Sequence, residues 1–225
     1  MWTTPKATPD ENWGLSFAPI SILIYNMGTI TAHNITDIIT QYGIKTFIET
    51  GTGHGAAVKF CVQFPFEDLH TVEIDQITYD ENIKPIEGFD PRVKFYLDNS
   101  ANFLTKLLTE LPKEKPILFF LDAHYPGCWY RLATQLETEK DLKLRIPLEN
   151  EGNIIASLRP EGKDVIIIDD LRIYEDGPYE DGNWVDRAAV GADNIQFMFD
   201  TFGKTHNVTR DFRHQGYLVI TPKTS

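Results

Sequence analysis

The sequence predicts an α/β domain: a doubly wound, mostly parallel seven-stranded sheet with helices on both faces, closed by a C-terminal antiparallel hairpin. Three observations predict it. From residue 34 onward, short apolar runs alternate with stretches of helical periodicity, the rhythm of strands joined by helical crossovers. One of those runs opens into Gly51, Gly53 and Gly55 just before a helical stretch, a strand-to-helix turn whose backbone needs the conformations that glycine takes freely. The last part of the chain holds two strand-like runs with only a short turn near His214 between them, too few residues for a parallel crossover.

Taken in order, an apolar run at 20–25 precedes a helix at 34–42, where Ile35, Ile38 and Ile39 share a face and Asn34 serves as the N-cap. Strands follow at 45–49, 69–74, 93–97, 116–121 and 164–168, each a β-branched or aromatic run bounded by turn residues or charges. Helices are expected between them at 56–64, 101–108 and 148–158. Beyond Asn194, the spacing of Ile195, Met198, Phe199 and Phe202 predicts a further helix, and the closing strands fall at 208–212 and 216–221.

The chain has 225 residues, of which 42% are hydrophobic, enough for one domain with a full core and too few for two of ordinary size. We read a single domain over 1–225, with an N-terminal arm at 1–33 and the core at 34–225. Two readings of the arm stay open, a cover over the cofactor and a contact with a second subunit. The formal charge of −12 argues against nucleic acid as a partner, since such binding is driven by lysine and arginine displacing counterions. Nowhere do eighteen uncharged apolar residues run together, and the first residues lack the apolar core of a signal peptide. Two cysteines, Cys61 and Cys128, are not a disulfide framework. The expectation is a cytoplasmic protein without a membrane partner.

The densest information lies in Phe47-Ile48-Glu49-Thr50-Gly51-Thr52-Gly53-His54-Gly55. A helix amino end facing out of such a turn presents free N–H groups to a ligand. Gly51, Gly53 and Ala56 also satisfy the dinucleotide spacing G-x-G-x-x-G/A, so a nicotinamide cofactor and an oxidoreductase are the rival reading. Glu49 tilts the choice: a carboxylate two residues before the first glycine repels a pyrophosphate and suits a cationic ligand such as S-adenosylmethionine. Glu73, 22 residues after Gly51, falls where an acid on the next strand meets a ribose.

Two other strands end in acid. Ile117-Leu118-Phe119-Phe120-Leu121 runs into Asp122-Ala123-His124, and Val165-Ile166-Ile167-Ile168 runs into Asp169-Asp170. If the strands are neighbours, their ends lie about 4.8 Å apart, and three crowded carboxylates raise one another's pKa unless a cation sits among them. A hard divalent ion, magnesium, manganese or calcium, suits those oxygen ligands. Each aspartate has the alternative of capping a turn or helix. His124, two residues beyond Asp122, is the candidate to take the proton of an acceptor hydroxyl, with a hydrogen-bonded loop histidine as the alternative. Residues 127–145, with Trp129 and Tyr130, and residues 174–184, with Tyr179, Glu175, Asp176, Glu180 and Asp181, combine rings and acids in the way that suits a polyhydroxylated ligand. Anchoring of these loops to the core is the equal alternative for Trp129 and Trp184.

On these motifs the chain resembles the class I S-adenosylmethionine-dependent methyltransferases, whose Rossmann-like fold it is expected to share. The resemblance spans roughly 34–223 and rests on the turn from Glu49 to Gly55, on Glu73, on Asp98-Asn99-Ser100 after the third strand, and on the closing hairpin. It implies that Glu49, Thr50, Gly51, Gly53 and Gly55 hold the methionine part of the cofactor, with Asp122 beside them. By the same resemblance Glu73 holds the ribose, and Asn99 with Ser100 lies against the adenine. A narrower likeness is to metal-dependent sugar O-methyltransferases. This implies a magnesium or manganese ion on Asp122, Asp169 and Asp170, His124 as base, and a sugar or glycoside hydroxyl as acceptor, with a catechol-type acceptor also open.

Overall fold

The computed structural model describes residues 29–124, 142–185 and 194–223. Its strands are β1 (Thr46–Thr50), β2 (Asp68–Glu73), β3 (Val93–Leu97), β4 (Ile117–Leu121), β5 (Val165–Ile168), β6 (His206–Asp211) and β7 (Tyr217–Pro222). Its helices are α1 (Ile35–Tyr42), α2 (Ala56–Cys61), α3 (Gln76–Thr78), α4 (Ser100–Glu110), α5 (Leu142–Arg145), α6 (Leu148–Leu158) and α7 (Gln196–Phe202). Each predicted strand is present, its ends displaced by at most two residues. Between β2 and β3 the chain is helical through 76–86, α3 passing into a π-helical and then a 3-10 turn, where the sequence reading placed no helix. That stretch lacks an apolar stripe, and a side-chain cap sets it: Asp75 Oδ2 accepts from Thr78 N–H at 2.7 Å.

The sheet runs β3-β2-β1-β4-β5-β7-β6. Strands β3, β2, β1, β4 and β5 are parallel, while β7 lies antiparallel between β5 and β6. The predicted doubly wound sheet with its closing hairpin is therefore the observed fold. The strands alternate their side chains between two cores. Ile48, Phe119, Leu121, Ile166 and Ile168 pack with α4, α6 and α7 on one face. Phe47, Leu118, Phe120, Val165 and Ile167 pack with α1 and α2 on the other.

A buried clamp sets the register at the entry side of the sheet. Arg159, just past α6, donates from Nε and Nη2 to Asp164 at 2.9 and 2.8 Å and from Nη1 to the Pro112 carbonyl at 2.8 Å. Asp164 Oδ1 also accepts from Ile117 N–H at 2.9 Å, which ties the start of β4 to the start of β5. No helix among the described residues is long and apolar enough to cross a membrane.

Candidate active site

The chain reverses its winding between β1 and β4, which are adjacent although two strands separate them in sequence. At such a switch point the loops after neighbouring strands diverge and leave a crevice at their carboxyl ends. Thr50 is level with Leu121 and Leu121 with Ile168. The parallel register thus delivers the glycine turn, Asp122 and Asp169 to one edge, and Asp169 N–H donates to the Leu121 carbonyl at 3.1 Å.

The turn after β1 is fixed mostly by its own backbone. Gly51 (φ +83°), Gly53 (φ +53°) and Gly55 (φ +71°) are all left-handed. At Gly51 a Cβ would strike the backbone of Asp122, so this glycine lets the β1 and β4 loops touch. At Gly53 a Cβ would meet nothing within 4 Å, so there the left-handed φ alone calls for glycine. Glu49 is 1% exposed and accepts from Thr71 Oγ1 at 2.6 Å. Burial pushes its carboxyl up to about 8, the Thr71 bond opposing and the Glu73 charge adding. It is a carboxyl held protonated at neutral pH for want of a countercharge.

Glu73 is more committed than the sequence implied. Its Oε2 accepts from Gly53 N–H at 3.0 Å, and its Oε1 accepts from Ile74 and Asp75 N–H at 2.9 Å each. It braces the glycine turn from the next strand. Asn99 is similarly occupied, its Oδ1 accepting from Asn102 N–H at 2.9 Å as the N-cap of α4, while Ser100 is buried behind it.

On the β4–β5 side, His124 joins the aspartates. Its Nε2 lies 3.0 Å from Asp170 Oδ2 and 3.6 Å from Asp122 Oδ1, with the imidazole side chain 8% exposed. Burial alone would lower the imidazole, but the Asp170 bond and the charges of Asp170, Asp169 and Glu151 outweigh it and hold His124 above its ordinary value. Burial, then Asp169, Asp170, Glu49 and Glu151, push Asp122 well up. Burial and Asp170 raise Asp169 to about 7, with His124 opposing. Asp169 Oδ1 accepts from Asp170 N–H at 2.8 Å. Asp170 itself sits at φ +52°, ψ +48°. The Gln215 amide, oriented by the hydrogen-bond network, donates to Asp170 Oδ1 and accepts from Arg172 Nη2 at 2.8 Å.

The three aspartates are thus close enough to act on one another's charge, but two of them, Asp122 and Asp170, face an imidazole. Among the described residues no group of three histidine, cysteine, aspartate or glutamate side chains is disposed to hold a metal ion. As donors the carboxylates have the right chemistry. Their arrangement does not fit: the imidazole stands between two of the expected ligands, and both oxygens of Asp170 are engaged.

Glu151 escaped the sequence reading. It is 1% exposed on α6, and burial raises its carboxyl while the Ser100 and Thr50 hydroxyls and the His124 charge oppose. Its Oε1 and Thr50 Oγ1 nevertheless lack a hydrogen-bond partner of normal geometry. A signal existed, because position 151 falls on the stripe of Leu148, Gly152 and Ile155 that faces the core. The loop acids fare differently. Glu175 Oε2 accepts from Arg210 Nη2 at 2.9 Å, Glu180 accepts from His214 N–H at 2.9 Å, and Tyr179 packs on Phe212 in the core. Trp184 lies against the Arg172 guanidinium, 5.3 Å from ring centre to Cζ. These residues anchor the loop. Trp129, Tyr130 and Cys128 lie outside the described residues.

Among solved structures the chain is similar to the O-methyltransferase TomG from Streptomyces achromogenes in complex with SAM. The TM-score is 0.52 at 14% identity, over 83% of this chain and 77% of that one. It is also similar to the O-methyltransferase from Bacillus cereus in complex with SAH, at TM-score 0.50 and 14% identity over the same shares. At these identities the likeness establishes the fold. No family model matches the sequence, and neither does any curated protein.

Proposed function

We propose that the chain is an S-adenosylmethionine-dependent O-methyltransferase acting on a hydroxyl of a small molecule, with a sugar or glycoside as the acceptor class and a catechol as its rival. The observation that carries the reading is the junction of the β1 and β4 loops at the carboxyl ends of their strands. There a left-handed glycine turn and Glu49, buried without a countercharge, meet His124 and its aspartates at the same sheet edge. A cationic donor favours the ionised form of Glu49 and pairs with it, whereas a pyrophosphate would bring negative charge against a turn already lined by two acids. The antiparallel β5-β7-β6 end also differs from the all-parallel close of a dinucleotide fold, which disfavours the nicotinamide reading.

In this reading Glu49, Thr50, Gly51, Gly53 and Gly55 border the methionine part, Glu73 the ribose, and Asn99 with Ser100 the adenine. Glu73 and Asn99 reach the cofactor only if their present backbone bonds are shared or exchanged. S-adenosylmethionine supplies a methyl group on a positively charged sulfur. The protein's part is to hold the acceptor oxygen in line with that methyl and to take its proton. With S-adenosylmethionine bound, its methyl would pass to the acceptor oxygen with the S–CH3 electron pair left on sulfur, and His124 would take the hydroxyl proton.

The magnesium or manganese ion expected on Asp122, Asp169 and Asp170 has in its favour the crowding that raises Asp122 and Asp169 and against it the His124 imidazole set against Asp122 and Asp170. The test of the main reading is formation of S-adenosylhomocysteine with glucose, a methyl glycoside and a catechol as acceptors. Turnover with a hydroxyl acceptor, lowered roughly 100-fold or more by His124→Gln, is expected. Absence of turnover together with hydride transfer from NADH would replace the reading.

A further inference from the structure

We infer that Asp170 is a positioning residue for His124 and not a ligand of a divalent ion, so that a His124–Asp170 pair accepts the acceptor's proton without a metal. This rests on the methyl-transfer reading and assigns the proton chemistry within it.

The first support is the complete use of the Asp170 carboxylate. Oδ2 lies 3.0 Å from His124 Nε2. Oδ1 accepts from the Gln215 amide and faces Arg172 Nε at 3.5 Å. A cation ligand needs an oxygen turned to the ion, and here each oxygen is turned to a donor on another element: the loop after β4, the 3-10 turn after β5, and the hairpin turn before β7.

The second support is the backbone. Asp170 is one of two non-glycine residues among those described with a left-handed φ, a conformation that aspartate adopts at a cost and that persists when its surroundings impose it. They do so here. Asp169 Oδ1 accepts from Asp170 N–H, the Asp170 carbonyl accepts from Ile173 N–H at 3.0 Å, and Leu171 N–H donates to the Gly216 carbonyl at 2.9 Å. The turn aims the Asp170 side chain across the mouth of the sheet at His124. The bond from Asp169 to the backbone belongs to the same device, so one oxygen of that expected ligand is spent on shaping the turn.

The third support is the place of the ring. With Nε2 facing Asp170 and Asp122, the opposite nitrogen, Nδ1, is assigned to the acceptor's proton. A carboxylate bound to one imidazole nitrogen fixes the tautomer and orientation of the ring and stabilises the imidazolium formed when the other nitrogen gains a proton.

The experiment uses the full chain with S-adenosylmethionine present. First, binding of S-adenosylmethionine alone is measured by calorimetry; failure to bind overturns the function proposed above as well as this inference. Second, Mn2+ is titrated and followed by electron paramagnetic resonance. No bound fraction at micromolar Mn2+ is expected, whereas a stoichiometric site lost in Asp170→Asn overturns the present inference alone. Third, proton NMR follows the imidazole N–H of His124, identified by its loss in His124→Gln. Asp170→Asn should move that resonance upfield toward that of an unpaired imidazole while leaving S-adenosylmethionine affinity within about twofold; an unmoved resonance overturns the pairing. Asparagine tolerates the left-handed conformation as aspartate does, and Gln215→Leu, which leaves the turn residue intact, should shift the same resonance in the same direction.

Discussion

At Gly51 a single methyl group would press on the Asp122 backbone, and the residue's φ of +83° disfavours any side chain. Gly51→Ala is therefore expected to lower stability by at least about 1–3 kcal/mol, read by urea denaturation; a change under a few tenths would show that the β1 and β4 loops do not meet there. Glu49 makes a prediction with a definite sign. Its folded carboxyl stands near 8 against an ordinary 4.5, so the folded chain holds a proton that the unfolded chain has released. That contribution is fully present below the ordinary value and is lost as pH rises through about 8. Thermal unfolding of the ligand-free protein should accordingly fall between about pH 5 and pH 8, and Glu49→Gln should flatten part of the slope. Asp169, raised to about 7, adds to the same trend. If the cationic cofactor sits beside Glu49, its binding ionises the carboxyl, and calorimetry in buffers of different ionisation enthalpy should detect proton release at neutral pH. Uptake or no exchange would place the cofactor's charge elsewhere. That Glu49 and Asp122 come to neighbouring strand ends was legible because strands that end in acid are visible in the sequence. That Glu73 braces the turn and Asp170 pairs with His124 was not, because those contacts depend on where backbone N–H groups and the Gln215 turn arrive in space.

Among the elements, β4 and β5 matter most, since their ends carry Asp122, Asp169 and Asp170. Their register is held at the opposite end by Arg159 and Asp164, which are 4% and 3% exposed. Removing one partner of a buried ion pair leaves an uncompensated charge, so Arg159→Leu should destabilise the fold by about 3–5 kcal/mol, measured by denaturant midpoint at constant slope. A loss below about 1 kcal/mol would mean that the clamp does not set the register. The strands were legible because each is a continuous apolar run, and the parallel order followed from their alternation with helices. The helical stretch at 76–86 was not legible. Its sequence has no apolar period, and its start depends on the Asp75 cap. Glu151 shows the opposite case. The helix was legible, but the charged residue on its buried stripe passes as a surface acid until the packing of α6 against Ser100 and Thr50 is seen.

For the molecule as a whole, the order of the sheet decides the chemistry. The reversal between β1 and β4 brings the glycine turn, proposed above to meet a cationic cofactor, against a histidine bonded to Asp170, and the antiparallel β7 lets the turn before it reach Asp170 through Gln215. The overall charge of −12 fits a cationic small ligand better than a polyanion. The fold could be derived from the alternation of elements and the closing hairpin. The candidate site could be assigned to the strand ends, while the connections among its residues required the register and turn geometry. A parallel calorimetric titration of the full chain with S-adenosylmethionine and with NADH tests the central claim most directly. The account predicts saturable binding of one S-adenosylmethionine per chain, weakened by Glu49→Gln, and none of NADH in the same range. Saturable binding of NADH with none of S-adenosylmethionine would contradict it.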